Sequence, residues 1–290
     1  MATIKDLKSK IKSTKSTLKI TQAMKLVSAA KLNKAQNSIQ NARPYAQELE
    51  RTIKTVSALC ENYSHQYLEE KPDNNKVLVL VVSSNKGLCG GYNSQLAKKV
   101  RSFLLTSSSE EKEIHVSFIG KKVRDLIKKE VHEKTFYTFD KGEPSFFDIK
   151  KISEELADLF RSGEYGKIMV AHNIFHSAIN FEPCIRQVLP MALDMAERDT
   201  LKREFPFDFK YDPDAKEILD TLIPEAYLSS IWTSVLDGSA AEHGSRMTAM
   251  DSAVSNCKDA IRMTTLKMNK LRQAAITTEL IEVVSGAESL

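Results

Sequence analysis

The sequence has little of what builds chemistry. Its four cysteines, Cys60, Cys89, Cys184 and Cys257, stand far apart with no C-x-x-C pair. That spacing fits neither a zinc site nor a small disulfide scaffold and reads as free thiols. Six histidines, His65, His115, His132, His172, His176 and His243, form no H-E-x-x-H. His172 and His176 are four apart, but the strand expected there ends between them, which argues against a shared metal. No histidine stands beside Cys89 in sequence to activate it as a nucleophile. Apolar runs are short, and none approaches the ~20 residues that span a bilayer. The first residues, Met1 to Asp6, carry no apolar h-region and no cleavage site, so the expectation is a chain facing the cytoplasm. The hydrophobic fraction of 42% still suffices for a core, and 28% charged residues imply a water-facing surface.

Acidic residues are nearly missing from the first 47 positions. Lys5, Lys8, Lys10, Lys12, Lys15, Lys19, Lys25, Lys31, Lys34 and Arg43 face only Asp6 there, an excess of +9 in a chain of net charge +4. A basic arm of this kind suits nucleic acid, an anionic membrane or acidic protein loops; it also suits a solvated helix face. Aromatics do not favour nucleic acid, because Tyr45 is the first in the chain.

Glycine is also missing from residues 3–60, where Pro44 is the only proline. One spacing of threes and fours runs through that segment: Ile4, Leu7, Ile11, Thr14, Leu18, Thr21, Lys25, Ser28, Leu32, Ala35, Ile39, Ala42, Ala46, Leu49, Ile53, Val56, Cys60. It predicts one heptad-seamed helix about 85 Å long, bent near Pro44. The same spacing returns in Leu236, Ala240, His243, Met247, Met250, Val254, Cys257, Ile261, Thr264, Met268, Leu271, Ala275 and Thr278. This second helix is expected from about Pro224, as a first-turn proline, to a stop at Gly286. Gly238 and Gly244 inside it read as points of close approach. Two seamed helices at opposite chain ends are natural antiparallel partners.

Between them the period changes. Strands are expected at 77–82, 114–119, 135–139, 167–172 and 180–189, and helices at 95–105, 121–130 and 149–160. Alternation of this kind predicts a mostly parallel, Rossmann-like α/β sheet. The organisation is therefore a helix over 1–62, an α/β domain over 76–215 and a helix over 216–290. A polar and aromatic connection over 197–213 leads to the last helix.

The one site-like motif is Gly87-Leu88-Cys89-Gly90-Gly91-Tyr92-Asn93 after the first strand. It matches neither G-x-G-x-x-G nor G-x-x-x-x-G-K-[ST]. A tight turn built on Gly87, Gly90 and Gly91 is the reading favoured over a nucleotide cradle. At the other end, Arg272, Gln273, Thr277 and Glu279 stand on an apolar helical stretch. They read either as an ordinary helix end or as a protruding tip that bonds to a partner.

Several ordered stretches carry a family resemblance over essentially the full chain. These are Ile20 to Leu32, Arg43-Pro44-Tyr45, Gly87 to Asn93, Tyr211 to Asp214, Glu242-His243 with Arg246 to Asn256, and Asn269 to Leu280. Together they resemble the gamma-subunit family of F-type ATP synthases, bacterial type. Departures are local: Asn85-Lys86 where Asp-Arg is common, Ala241 for a common Ser, and Cys257 for a common Ala.

The resemblance implies a non-catalytic central stalk. It would be an antiparallel left-handed coiled coil inside a ring of alternating alpha and beta subunits, with the α/β domain near the epsilon subunit and the membrane rotor ring of c subunits. It implies that Arg272, Gln273, Thr277 and Glu279 touch beta. Met24, Lys25 and Lys31 would face acidic loops, and Tyr211 and Asp212 would face epsilon and the rotor ring. It implies no cofactor, no metal, no nucleic acid and no direct nucleotide binding. The place it implies is the cytoplasmic face of the bacterial inner membrane. A basic coiled-coil nucleic-acid binder and a nucleotide-dependent enzyme stand as the competing readings.

Overall fold

The computed structural model describes residues 3–60, 63–108, 112–139, 142–191, 211–212 and 214–288. In chain order the elements are α1 (Ile4–Leu59), β1 (Lys76–Val82), α2 (Tyr92–Ser108), β2 (Glu113–Ile119), α3 (Lys121–Ile127), β3 (His132–Tyr137), α4 (Phe146–Arg161), β4 (Lys167–Phe175), β5 (Phe181–Leu189) and α5 (Ala215–Glu288). The chain forms two compact units, Lys31–Ser245, and Met1–Ala30 with Arg246–Leu290. Both boundaries fall inside long helices.

The larger unit holds a five-stranded sheet in the order β3-β2-β1-β4-β5. All pairs are parallel except β4 with β5, a hairpin. β1 is central and buried on both faces, which is why its sequence is one apolar run rather than an alternation. Its residues divide between two cores. Leu78, Leu80 and Val82 pack with Ile149, Ile152, Leu156 and Phe160 of α4 and with Tyr227, Ile231 and Val235 of α5. Val77, Val79 and Val81 pack with Leu96, Ala97 and Val100 of α2 and with Val123 and Ile127 of α3.

In this unit α1 and α5 run antiparallel. Leu49, Ile53 and Val56 pack with Ala215, Leu219 and Ile223. The Tyr45 hydroxyl donates to Glu225 at 2.9 Å, and Arg43 pairs with Asp237 at 2.9 Å. Arg43 also donates to the Phe175 carbonyl at the end of β4. Thus two residues of the Arg43-Pro44-Tyr45 motif fasten one long helix to the other. Gly238 and Gly244 are close-approach positions, as expected. A β-carbon at Gly238 would lie 3.4 Å from Tyr92 Oη, and one at Gly244 would lie 3.1 Å from Ala178 Cα.

In the smaller unit α1 opens on a reciprocal cap. Thr3 N–H donates to the Asp6 carboxylate at 2.9 Å, and Asp6 N–H donates to Thr3 Oγ1 at 3.2 Å. Leu7, Thr21, Ser28, Met250 and Val254 are buried, and Lys25 pairs with Asp251 at 2.5 Å. The Thr21 hydroxyl donates back to the Thr17 and Leu18 carbonyls, which is how a polar residue satisfies itself in a seam. Every seam residue named on α1 is buried or half-buried, and so is every one on α5 through Met268.

Two expected helix ends are corrected. α5 begins at Ala215, so Pro224 lies inside it rather than in its first turn. Asp214 caps the start, accepting from Lys216 N–H at 3.2 Å. The helix passes through Pro224 because Leu219, Ile223, Tyr227 and Ile231 form one fully buried stripe, and burial of four such side chains outweighs the ~3 kcal/mol of an internal proline. The helix also runs to Glu288, past the expected stop at Gly286. Most of the connection expected over 197–213 lies outside the described residues.

Candidate functional site

The glycine-rich loop is filled by its own side chains. Asn93 Nδ2 donates to Ser84 Oγ at 2.8 Å and to Cys89 Sγ at 3.1 Å, while its Oδ1 accepts from Ser84 N–H at 3.3 Å. Tyr92 N–H, at the start of α2, donates to the Cys89 carbonyl and Gln95 N–H to that of Gly91. The first of the donors that a phosphate would need at this helix start is thus engaged within the turn. Leu88 and Gly90 take positive φ, 61° and 53°, so the turn is built on the left-handed region. Gly87 and Gly91 are half-buried beside it. Cys89 is buried.

The expected cations have acids of their own chain. Lys25 pairs with Asp251. Lys31 donates to Glu143 at 2.5 Å, and the buried His243 lies 3.5 Å from the same carboxylate. His243 and Lys31, in that order, draw the Glu143 carboxyl down to about 2. By geometry the lysine, closer and always charged, is the firmer anchor. Glu143 precedes α4, so this cluster joins the sheet layer to α1 and α5 within one unit. Sequence reasoning missed it because Glu143 is remote in sequence from both partners. Met24 is half-buried beside Lys25. Lys5, Lys8, Lys12, Lys15 and Lys19, spaced by threes and fours, form a separate exposed stripe on α1 and make no ion pair among the described residues.

Tyr211 and Asp212 are separated in role. Tyr211 packs against the Leu49, Ile53, Leu219 cluster, whereas Asp212 is exposed. His172 ends in the sheet, where burial first and the Arg186 guanidinium second push its imidazole down to about 3. It stays neutral. Among the described residues no three His, Cys, Asp or Glu side chains converge on a metal position.

The end of α5 has a different character. Arg272, Gln273, Thr277 and Glu279 are all exposed. Ile276, Leu280 and Val283, at i, i+4 and i+7, form an apolar stripe between them that is also open to water, 49%, 60% and 70% exposed. The Thr277 hydroxyl donates to the Gln273 carbonyl at 2.9 Å, leaving its lone pairs for an outside donor. An exposed apolar stripe flanked by polar side chains has the character of an interaction surface.

A pair of long terminal helices with an inserted sheet is the fold of chains in rotary ATP synthase structures. The chain superimposes on a chain of the Euglena gracilis mitochondrial ATP synthase (OSCP/F1/c-ring, rotational state 3) with TM-score 0.67 and 18% identity, over 99% of this chain and 94% of that one. It matches a chain of the Tetrahymena thermophila central stalk and c-ring with TM-score 0.57 and 21% identity, over 81% and 99%. In sequence, the family model described as ATP synthase covers residues 3–290. The ATP synthase gamma chain of Phenylobacterium zucineum is 35% identical over the whole of both chains, and that of Bdellovibrio bacteriovorus is 36% identical over 100% of this chain and 99% of its own. The chain belongs to the ATP synthase gamma-chain family.

Proposed function

We propose that this chain is the central rotating shaft of an F-type ATP synthase and has no active site of its own. The observation that carries the reading is the end of α5, where a helix of a gamma-chain family member leaves its own packing and turns an apolar stripe outward. In this reading residues 1–62 and 216–290 are the shaft and 76–215 the globular domain. The shaft stands in a ring of alternating alpha and beta subunits, while the globular domain meets the epsilon subunit and the membrane ring of c subunits. The complex sits at the cytoplasmic face of the bacterial inner membrane; no described helix is long and apolar enough to cross it.

The mechanism is differential contact. The helix end is asymmetric, and its surrounding ring approximates threefold symmetry. Arg272, Gln273, Thr277 and Glu279 therefore bond to one beta subunit at a time, and each orientation favours a different conformation of each beta site. The unpaired Lys5 to Lys19 stripe supplies long-range attraction to acidic loops of the ring. Lys25 and Lys31 enter that contact as ion pairs, so they steer less than free cations would. Tyr211 supports the helix pair from within, leaving Asp212 to meet epsilon or the rotor ring.

The test is isolation of the tagged chain from detergent-solubilised membranes. Alpha, beta, epsilon and c subunits should accompany it in fixed proportion. Recovery without them, bound instead to DNA in a salt-sensitive way, would overturn the reading in favour of a nucleic-acid binder.

A further inference from the structure

Within the larger unit, α1, α4 and α5 enclose a groove of about 790 Å³, a volume in the range of small-molecule sites. Tyr45, Tyr67, Phe146 and Trp232 form its walls. Phe146 and Trp232 meet edge to face, with centroids 5.5 Å apart at 86°, and Tyr67 stands on Tyr227 at 5.3 Å and 65°. Edge-to-face pairs of this kind hold the rings in place as an aromatic lining of the groove. Tyr45 is 55% exposed and Phe146 42% exposed, so both rings are open to water. The floor is internally satisfied, because the buried Tyr227 hydroxyl donates to the Ser153 carbonyl at 3.1 Å.

The rim is acidic on balance. Glu154 and Glu225 stand there against Lys150. Glu225 accepts the Tyr45 hydroxyl, and neither carboxylate is in an ion pair among the described residues. Ring faces attract cations through their quadrupole, and nearby carboxylates add to that attraction while repelling anions.

We propose that this groove is a binding site for a small planar aromatic cation. The rings stack on the flat body, and Glu154 and Glu225 balance its charge. Nothing in the rotary reading requires the site, and its failure would leave that reading untouched.

Trp232 is the single tryptophan of the chain, so its emission reports directly on occupancy. The probe is proflavine, a flat tricyclic cation, with anilinonaphthalene sulfonate as an anion of similar size. Proflavine should quench Trp232 saturably, and the anion should neither quench nor compete. The Glu154→Gln/Glu225→Gln variant, altered only at exposed rim positions, should bind proflavine about tenfold more weakly. Phe146→Ala should weaken it again, and Trp232→Phe, followed by calorimetry, should still bind. Equal binding of the anion, or unchanged affinity in the double glutamine variant, would overturn the proposal. So would exclusion of proflavine from the assembled complex, which would assign the groove to a partner subunit.

Discussion

At Gly120 the backbone has φ +90°, and a β-carbon would stand 2.1 Å from the Ser83 carbonyl oxygen. That carbonyl belongs to the crossing where Ser83 N–H donates to Ile119 at 2.7 Å, so it cannot retreat. Gly142 also has positive φ, +74°, but nothing within 4 Å of its missing β-carbon. Gly120→Ala should therefore cost about 3 kcal/mol or more, from clash and strain together. Gly142→Ala should cost only about 1 kcal/mol, from the left-handed backbone alone. Urea midpoints of the two variants measure this; equal losses would contradict it. The sequence marks both residues only as glycines, because what each approaches is decided by tertiary contact.

Glu143 is a residue-scale test of the cluster with Lys31 and His243. Its folded carboxyl lies near 2 against an ordinary 4.5. The stability it supplies is thus complete above pH 4.5 and fades as pH falls toward 2. The side chain is 55% exposed, so solvent screening holds the contribution to about 1 kcal/mol. Glu143→Gln should lose about that amount at pH 6 and become less sensitive than the parent to a drop to pH 3.5. Denaturant titrations at the two values decide it, and parallel losses in parent and variant would refute the pairing.

At the scale of elements, periodicity was highly informative. Threes and fours located both long helices, and the α/β alternation located all five strands, because burial is what those patterns encode. Helix ends were less legible. Pro224 looked like a first-turn residue, yet the stripe from Leu219 to Ile231 carries the helix through it. β3 begins at His132, three residues before its apolar part, because the mainchain of β2 is there to pair with. The candidate surface was legible as residue types near the end of α5, but the lysine pairings were not. A lysine's partner lies wherever the fold brings an acid, and sequence distance does not encode it.

The end of α5 carries an element-scale prediction. The Arg272→Ala/Gln273→Ala variant removes one charged and one neutral donor from an exposed helix face, so the fold should survive. Lost contacts with a ring subunit are worth about 1.5–3 and 0.5–1.5 kcal/mol respectively. Each single variant should slow turnover or lower complex yield in membranes, and the double should do more than either. A double variant with parental yield and ATPase rate would reduce these side chains to solvated surface.

As a whole molecule, the chain in the proposed function turns while its partners do the chemistry. The side chains of the turn at Gly87 to Asn93 bond to one another, whereas the stripe of α5 is turned outward and open to contact. The most direct measurement fixes the alpha–beta ring to a surface and follows a bead attached to the α/β domain of this chain. On addition of ATP the bead should turn in one direction, pausing at thirds of a turn that match the three beta sites. Hydrolysis of ATP at the full rate beside a motionless bead would contradict the account.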